Sequence, residues 1–430
     1  MNELRLYNSL SRKVEAFEPQ GETVTIYVCG ITPYDTTHLG HIFTYAAADV
    51  LIRYLEYQGC EIKYAQNLTD VDDPLFRKAE QEYEDWRELG QRWTLHFIDD
   101  MKTLNIRAPD YYPQATEVIQ EMIAIVQDLL QAGVAYESGG SVYFNIDACP
   151  EFGKLSQIAR ADMLPIANER GNNPDDPNKR DPLDFDLWRA RKPGEPAWES
   201  PWGPGRPGWH IECSTMAKRF LGETIDIHGG GSDLIFPHHE SEIAQSECAT
   251  HQQPFVRHWF HTAMVRQEGK KMSKSIGNLI MVRDLLKDVS PDGLRLYLGQ
   301  QHYREPWEFN AEGLQESESL AQKLRSAATA AGGLLSAPRV EVEEIRSDFI
   351  SAMNDDLSSP AAVKQLDDLA SLILQAAEVD KNVRGAQRLL SELSSIFGLR
   401  LHATAPDERV LSQWDEHAQK FTEVGDEQDA

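Results

Sequence analysis

The distribution of apolar residues near the N-terminus predicts alternating strands and helices. Residues 24–29 are apolar and β-branched, and Gly30 ends the run, which is typical of a buried strand. Apolar residues then recur at helical spacing over 44–57, and Gly59 follows as a stop signal. Residues 62–65 predict the next strand. The order strand, loop, helix, strand is a βαβ unit, which indicates a parallel sheet.

Further along the chain this pattern changes. Residues 116–132 predict an amphipathic helix, and the stretch 168–208 is rich in Gly, Pro, Asn and Asp, as long loops are. A second α/β portion follows over about 209–286. Beyond residue 291 the strand signals fade, and helical spacing returns from residue 359.

Composition restricts the class of protein. Apolar residues make up 41% and charged residues 26% of the 430 residues, which is ordinary for a globular protein. The net charge of −27 opposes broad binding to a phosphate backbone. Residues 1–20 lack an apolar run flanked by positive charge, and no apolar stretch approaches membrane-spanning length. We therefore expect a cytoplasmic, monomeric protein without a membrane partner.

Two motifs indicate a phosphate site. Residues 38–41 (HLGH) follow the first strand at or near the start of the first helix, where free N–H groups suit an anion and Gly40 allows close approach. Residues 271–275 (KMSKS) place lysines in a loop, where they can neutralise a departing pyrophosphate. Each motif alone is common in ordinary loops. The two in this order are far more specific.

Together the two motifs resemble the signature pair of class I aminoacyl-tRNA synthetases. The resemblance is closest to cysteinyl-tRNA synthetase and to its relative, the cysteine ligase of mycothiol biosynthesis. Four further stretches fit both families, and these are residues 27–30, 67–73, 208–213 and 228–239. The match extends over nearly the whole chain, from about residue 5 to residue 395.

The resemblance implies an α/β fold with a Rossmann-like parallel-sheet catalytic domain, an inserted subdomain and a C-terminal helical domain. A chain of this length also exceeds one ordinary core. The predicted units are the first catalytic half (1–115), the inserted connective subdomain (116–207), the second catalytic half (208–290), the helical domain (291–400) and an acidic tail that we expect to be flexible (401–430).

The resemblance also implies that the enzyme activates cysteine with ATP, which enters with Mg²⁺. The residues expected to stabilise charge during catalysis are His38, His41, Lys271 and Lys274. The expected ATP-binding residues are His38, Gly40, His41, Gly230, Asp233, Lys271, Ser273 and Lys274. Gly230 and Asp233 would contact the ribose, although a glycine-rich turn with an aspartate cap is the alternative interpretation of that stretch.

Five scattered cysteines contain no CxxC pair, which argues against a disulfide framework. Cys29 ends the first strand, at the carboxyl edge where open α/β sheets bind ligands. His238 and Glu242 are four residues apart and would share a helix face. Spacing alone favours core cysteines, but the resemblance matches Cys29, Cys213, His238 and Glu242 to the ligands of one Zn²⁺.

Zinc bonded to the substrate thiol would select cysteine against serine. Three residues match positions that line the amino-acid pocket of the family, namely Thr32, Thr69 and Trp209. For Trp209 a core aromatic is an equally reasonable interpretation. The remaining cysteines, at 60, 149 and 248, fit no ligand position, and we predict ordinary thiols there.

The acceptor of the activated cysteine is either the amine of an amino sugar or a tRNA. Pro33 and the stretches 72–76 and 179–184 resemble the mycothiol ligase, and the acidic C-terminal residues do not resemble a tRNA-binding module. Glu242 counts the other way, because it completes the four-ligand site of the tRNA enzyme. We predict transfer to an amino sugar of the glucosaminyl-inositol type, with a cysteine–tRNA ligase as the alternative. A non-catalytic paralogue that binds cysteine or its adenylate is a second alternative.

Overall fold

The computed structural model describes residues 3–35, 37–272, 277–402 and 407–423. The elements up to the end of the insertion are β1 (Arg5–Asn8), β2 (Lys13–Ala16), β3 (Thr23–Ile31), α1 (Leu39–Tyr57), β4 (Glu61–Leu68), α2 (Asp73–Glu82), α3 (Trp86–Thr103), α4 (Ile119–Gln131), β5 (Ala135–Ser138), β6 (Ser141–Phe144), α5 (Arg160–Glu169), β7 (Phe185–Ala190) and β8 (Gly205–Pro207).

The second part of the chain returns to the sheet and then becomes helical. Its elements are α6 (Trp209–Leu221), β9 (Ile225–Gly231), α7 (Glu240–Thr250), β10 (Val256–Thr262), β11 (Val265–Gln267), β12 (Lys270–Lys271), α8 (Val282–Leu285), α9 (Pro291–Gly299), β13 (Trp307–Glu308), α10 (Ala311–Thr329), α11 (Glu343–Asn354), α12 (Ser359–Glu378), α13 (Arg384–Ile396) and α14 (Glu408–Glu423).

A parallel four-stranded sheet, in the order β10-β9-β3-β4, forms the centre of the catalytic portion. Ile26 on β3 lies between Tyr64 on β4 and Ile227 on β9. Successive β3 residues are buried on both faces of the sheet, since helices cover both sides. A separate antiparallel sheet, β5-β6-β7-β8, interrupts the chain between α4 and α6. The predicted α/β fold with a C-terminal helical portion is confirmed.

The C-terminal segment differs from the expected flexible tail. Helix α14 packs against α3, and Trp414 is fully buried there, with its Nε1 donating to the Ile106 carbonyl at 2.8 Å. Val410 and Phe421 are buried as well. The acidic composition of this segment concealed an apolar stripe at helical spacing. The predicted tail residues 403–406 and 424–430 lie outside the described residues.

Within the ranges that the structure describes, no helix combines the length and the apolar character needed to cross a membrane.

Candidate active site and metal centre

The loop from β3 to α1 holds the first histidine motif at a helix N-terminus. His38 is the N-cap of α1, and its Nδ1 accepts a hydrogen bond from the His41 N–H at 3.3 Å. The two imidazole rings stack with their centroids 3.5 Å apart. Gly40 leaves room for this arrangement, because a Cβ there would lie 3.2 Å from the His38 ring. Two imidazoles therefore lie together at the positive end of the helix dipole.

The chain that follows the lysine motif lies against this histidine turn. The Leu39 N–H donates to the Ile280 carbonyl at 2.8 Å, and His38 forms a backbone bridge with Met281. The half-exposed Lys271 extends its Nζ to within 3.5 Å of the Asp233 carboxylate. Lys271 therefore contacts the glycine-rich stretch. The predicted residues Ser273 and Lys274 lie outside the described residues.

The glycine-rich stretch ends β9 at the same edge of the sheet. Thr262 on β10 donates its hydroxyl to the Gly230 carbonyl at 3.5 Å, and the Thr44 hydroxyl of α1 lies 2.7 Å from that of Thr262. A Cβ on Gly230 would lie 2.9 Å from Leu234 and 3.2 Å from the His239 ring. Packing inside the protein therefore already requires glycine at this position.

A buried group of sulfur, nitrogen and oxygen donors lies at the carboxyl end of β3. It consists of Cys29, His238, His239 and Glu242, and we call it the donor cluster. One ligand atom from each residue lies within 4.8 Å of the others. The shortest separations are 3.1 Å between His238 Nε2 and Glu242 Oε1, and 3.2 Å between Cys29 Sγ and His239 Nε2. These four residues are a candidate metal site.

Cys213 on α6 reaches the same place, with its Sγ 3.9 Å from that of Cys29. Three of the four predicted ligands therefore lie in the donor cluster, and the fourth, Cys213, contacts it through Cys29. His239 is the donor that sequence reasoning missed. The signal for it was present. Consecutive histidines at 238 and 239 precede Glu242 by four and three residues, so both have helical proximity to the carboxylate.

Burial determines the protonation of the donor cluster. Desolvation raises the pKa of the Cys29 thiol and of the Glu242 carboxyl well above their ordinary values. The same desolvation lowers the pKa of His238 and His239 well below the usual histidine range. Among the described residues, no lysine or arginine pairs with Glu242. Burial thus disfavours the charged form of every member of the donor cluster, and no lysine or arginine of the described residues pairs with its carboxylate.

Further histidines orient the donor cluster from outside. His228 Nε2 lies 3.0 Å from Glu242 Oε2, and His210 Nδ1 lies 2.8 Å from His238 Nδ1. Both outer histidines are buried, and desolvation lowers the pKa of each to about 3. Hydrogen bonds of this kind fix ring orientation and tautomer in metal sites.

A cavity of about 460 Å³ opens beside the donor cluster, and Thr32 and Trp209 line it. The Trp209 ring stacks on His238 with 4.2 Å between centroids, so this residue is more than core filling. The Thr32 hydroxyl donates to Asp72 at 3.3 Å. Thr69, the third residue predicted for the amino-acid pocket, is buried and does not line this cavity.

The lining of the cavity includes positive side chains. Arg189 on β7 donates to the Asp73 carboxylate at 2.8 Å, and Arg206 on β8 also donates to it. The basic residues on the wall are Arg77, Arg170, Lys179 and Arg189. Three of these come from the insertion, so the insertion contributes a basic surface to the space next to the donor cluster.

The sequence is similar to two kinds of curated enzyme. It is 44% identical over 407 residues to a cysteine–tRNA ligase of Dehalococcoides mccartyi, which covers 94% of this chain and 88% of the relative. It is 43% identical over 403 residues to an L-cysteine:1D-myo-inositol 2-amino-2-deoxy-alpha-D-glucopyranoside ligase of Corynebacterium aurimucosum. This match covers 93% of this chain and 96% of the relative. The expected greater closeness to the amino-sugar enzyme is therefore not favoured.

Among solved structures, a Mycobacterium tuberculosis methionyl-tRNA synthetase in complex with methionyl-adenylate matches with a TM-score of 0.62. It is 14% identical and covers 91% of this chain and 93% of its own, which supports the fold alone.

Two family models match. Residues 16–319 match the tRNA synthetases class I (C) catalytic domain, and residues 348–402 match the DALR domain. The first match covers the sheet, the histidine turn and the donor cluster. The chain therefore belongs to the class I (C) tRNA synthetase family and is an AMP-forming ligase.

Proposed function

We propose that this enzyme activates L-cysteine as its adenylate and transfers the cysteinyl group to the 3′ end of a tRNA. The observation that carries the proposal is the buried donor cluster, with the Cys213 thiol 3.9 Å from Cys29, beside a cavity and on the strand that leads into the histidine motif. A thiol-containing substrate is the one whose side chain such a site can distinguish from near isosteres.

The donor set fits zinc. Cys29, Cys213, His238 and Glu242 are our proposed protein ligands, since two sulfurs, one nitrogen and one oxygen suit a borderline-soft divalent ion. His239 lies 2.7 Å from His261 through Nδ1 and 3.2 Å from the Cys29 sulfur through Nε2, and in this proposal it would donate a hydrogen bond to the Cys29 thiolate instead of binding zinc. When bound, zinc would supply a direct bond to the substrate thiolate.

Adenylate formation requires the substrate carboxylate to attack the α-phosphate of ATP, which enters as its magnesium complex. Negative charge develops on the phosphate oxygens as pyrophosphate leaves. His38 and His41 would donate hydrogen bonds to these oxygens, together with the N–H groups at the start of α1. Lys271 and Lys274 would neutralise the departing pyrophosphate.

The nucleotide and the amino acid would meet between the sheet edge and the cavity. Gly40, Gly230, Asp233 and Ser273 are our proposed further contacts to ATP. Thr32 and Trp209 line the cavity beside His238, which supports their role in holding cysteine. Thr69 would support this pocket from behind.

The choice of tRNA as acceptor draws on the relatives. The Dehalococcoides mccartyi protein is named a cysteine–tRNA ligase, and the DALR domain match accompanies the catalytic one. An amino sugar is the second candidate, because the Corynebacterium aurimucosum ligase is matched over 96% of its length. Asp72, Asp73 and Lys179, from stretches that resemble that ligase, also line the cavity. We do not propose a non-catalytic role, because the family consists of AMP-forming ligases.

An acceptor assay tests the proposal. The zinc-loaded enzyme receives ATP, Mg²⁺ and cysteine, with bulk tRNA or glucosaminyl-inositol in separate reactions, and products are measured by mass spectrometry. We expect cysteinyl-tRNA and no sugar amide. A cysteinyl amide of the sugar without charged tRNA would replace the main proposal by the second. Absence of cysteine-dependent AMP formation with either acceptor would refute cysteine activation itself.

A further inference from the structure

Two cysteines outside the donor cluster meet at a second cavity. Cys149 lies in the turn after β6, and Cys248 lies in the last part of α7. Both are half-buried, and both line a cavity of about 640 Å³. Lys154 pairs with Glu151, two residues after Cys149, at 3.0 Å and with Glu247, next to Cys248, at 2.6 Å, so the two cysteine segments lie together. The fold therefore pairs two thiols that lie 99 positions apart in the sequence.

The surroundings distinguish the two thiols. Lys154 forms ion pairs with Glu247 at 2.6 Å and Glu151 at 3.0 Å, and it lies on the wall of the same cavity. Interaction with the Cys248 thiol lowers the pKa of Cys149, and the Glu151 backbone N–H and the Lys154 charge lower it further against the effect of burial. The pKa of Cys248 is raised, first by Cys149 and then by burial. Cys149 is therefore the nucleophilic partner.

We propose that Cys149 and Cys248 form a reversible dithiol–disulfide site that a hydroperoxide oxidises. The Cys149 thiolate attacks the terminal oxygen of the peroxide, the O–O bond breaks, and the leaving oxyanion takes a proton from water. Sulfur is oxidised by two electrons to the sulfenic acid. The Cys248 sulfur then attacks the Cys149 sulfur. The S–S bond forms, the S–O bond breaks, and the Cys248 proton leaves with the hydroxide as water.

The disulfide joins the insertion to the helix that carries Glu242. Glu240 at the start of α7 already accepts the backbone N–H groups of Leu155 and Ser156, at 3.3 and 2.7 Å. The Cys149–Cys248 bond adds a covalent link at the other end of this helix. Oxidation would therefore restrict the movement of α7, the helix that supplies Glu242 to the donor cluster. This effect does not depend on which acceptor the enzyme uses.

The test measures oxidation directly and does not depend on enzyme activity. Zinc-loaded wild-type protein and the variants C149S, C248S and C60S are treated with hydrogen peroxide. Dimedone traps sulfenic acids, and free thiols are alkylated before proteolysis and non-reducing mass spectrometry. Cys60 is the matched internal control, because it is half-buried and its pKa is raised by burial.

In the wild type we expect a Cys149–Cys248 cross-linked peptide that forms at least about 10-fold faster than Cys60 oxidises, and that dithiothreitol reverses. The C60S variant should behave like the wild type. C248S should accumulate the dimedone adduct on Cys149, whereas C149S should show little adduct on Cys248. Absence of the cross-linked peptide at a dose that oxidises Cys60 would overturn the proposal. If a variant fails to fold, the cross-linking result for the wild-type protein alone tests the proposal.

Discussion

Two buried carboxylates of this enzyme have opposite surroundings. Asp49 in α1 lies 2.9 Å from Arg53 and also pairs with Arg295 on α9. Burial opposes its ionisation, but the two guanidinium charges outweigh burial and lower its pKa. Glu242 in α7 is just as buried, and no lysine or arginine of the described residues pairs with it, so burial raises its pKa.

The difference in surroundings distinguishes an ion pair that stabilises the fold from a group that can bind a ligand. At Asp49 the protein provides its own cations, and the ion pair with Arg295 connects α1 to α9, near the helical portion. At the donor cluster, ligand atoms converge without a paired lysine or arginine among the described residues. A buried group of this composition is stabilised when an external divalent cation replaces its protons. The donor cluster is therefore the candidate metal site, whereas Asp49 is held by ion pairs within the protein.

The largest expected effect comes from removing a sulfur of the donor cluster. We expect Cys29→Ser to reduce bound zinc below about 0.1 per chain and to lower cysteine-dependent ATP–pyrophosphate exchange by at least about 10³-fold. Cys60→Ser, which alters a thiol outside the cluster, should leave both unchanged. Metal analysis and exchange kinetics measure the two effects. Stoichiometric zinc in the Cys29 variant would remove this residue from the ligand set.

Asp49→Asn tests the structural side of the comparison. The variant leaves Arg295 buried beside a neutral amide, which we expect to destabilise the fold by about 3–5 kcal/mol. Bound zinc should stay at one per chain in the folded protein. Thermal unfolding measures stability, and Asp284→Asn, at an exposed pair with Lys287, serves as the control. An unchanged melting temperature would show that the Asp49 pair does not stabilise the fold.

Lys271→Ala tests the phosphate side of the active site. Loss of this charge should reduce the exchange rate by about 10²-fold, because it acts on the departing pyrophosphate. Zinc content and the KM for cysteine should change little, since Lys271 contacts Asp233 and not the donor cluster. Lys287→Ala is the control for removing a surface lysine. A variant with wild-type turnover would exclude Lys271 from catalysis.

The smallest effect is a pH dependence of stability. The folded-state pKa of Asp49 is lowered, so its contribution is present above the unfolded value of about 3.9 and is lost as the pH falls through the folded value. The melting-temperature difference between wild type and Asp49→Asn should therefore shrink as the pH falls below about 4. A difference that grows on acidification would contradict the lowered pKa.

The local spacing of apolar residues and short motifs predicted the strand β3 and the start of helix α1. The apolar run at 24–29 became the core of β3, and the HLGH motif became the cap and first turn of α1. The acidic tail was misjudged, because composition hid the spacing of Val410, Trp414 and Phe421. These apolar residues lie at helical spacing in the sequence. The helix against which they pack, α3, lies some 300 residues earlier in the chain, so local sequence does not reveal the contact.

Contacts between residues far apart in the sequence could not be predicted, because no local pattern specifies them. Asp49 and Arg295 are 246 positions apart, and Cys149 and Cys248 are 99 apart. His239 and its neighbour His238 look identical in sequence, and only the fold shows that both approach Glu242. Resemblance predicted which residues converge on Cys29. It did not predict which buried groups would lack a cation.

The most direct test of the central claim compares cysteine and serine as substrates of zinc-stripped and zinc-reloaded enzyme in pyrophosphate exchange. We predict that stripping abolishes cysteine-dependent exchange, that reloading restores it, and that serine is at least about 10³-fold poorer than cysteine with the reloaded enzyme. Enzyme with less than about 0.1 zinc per chain that keeps full activity and full preference for cysteine would contradict the account.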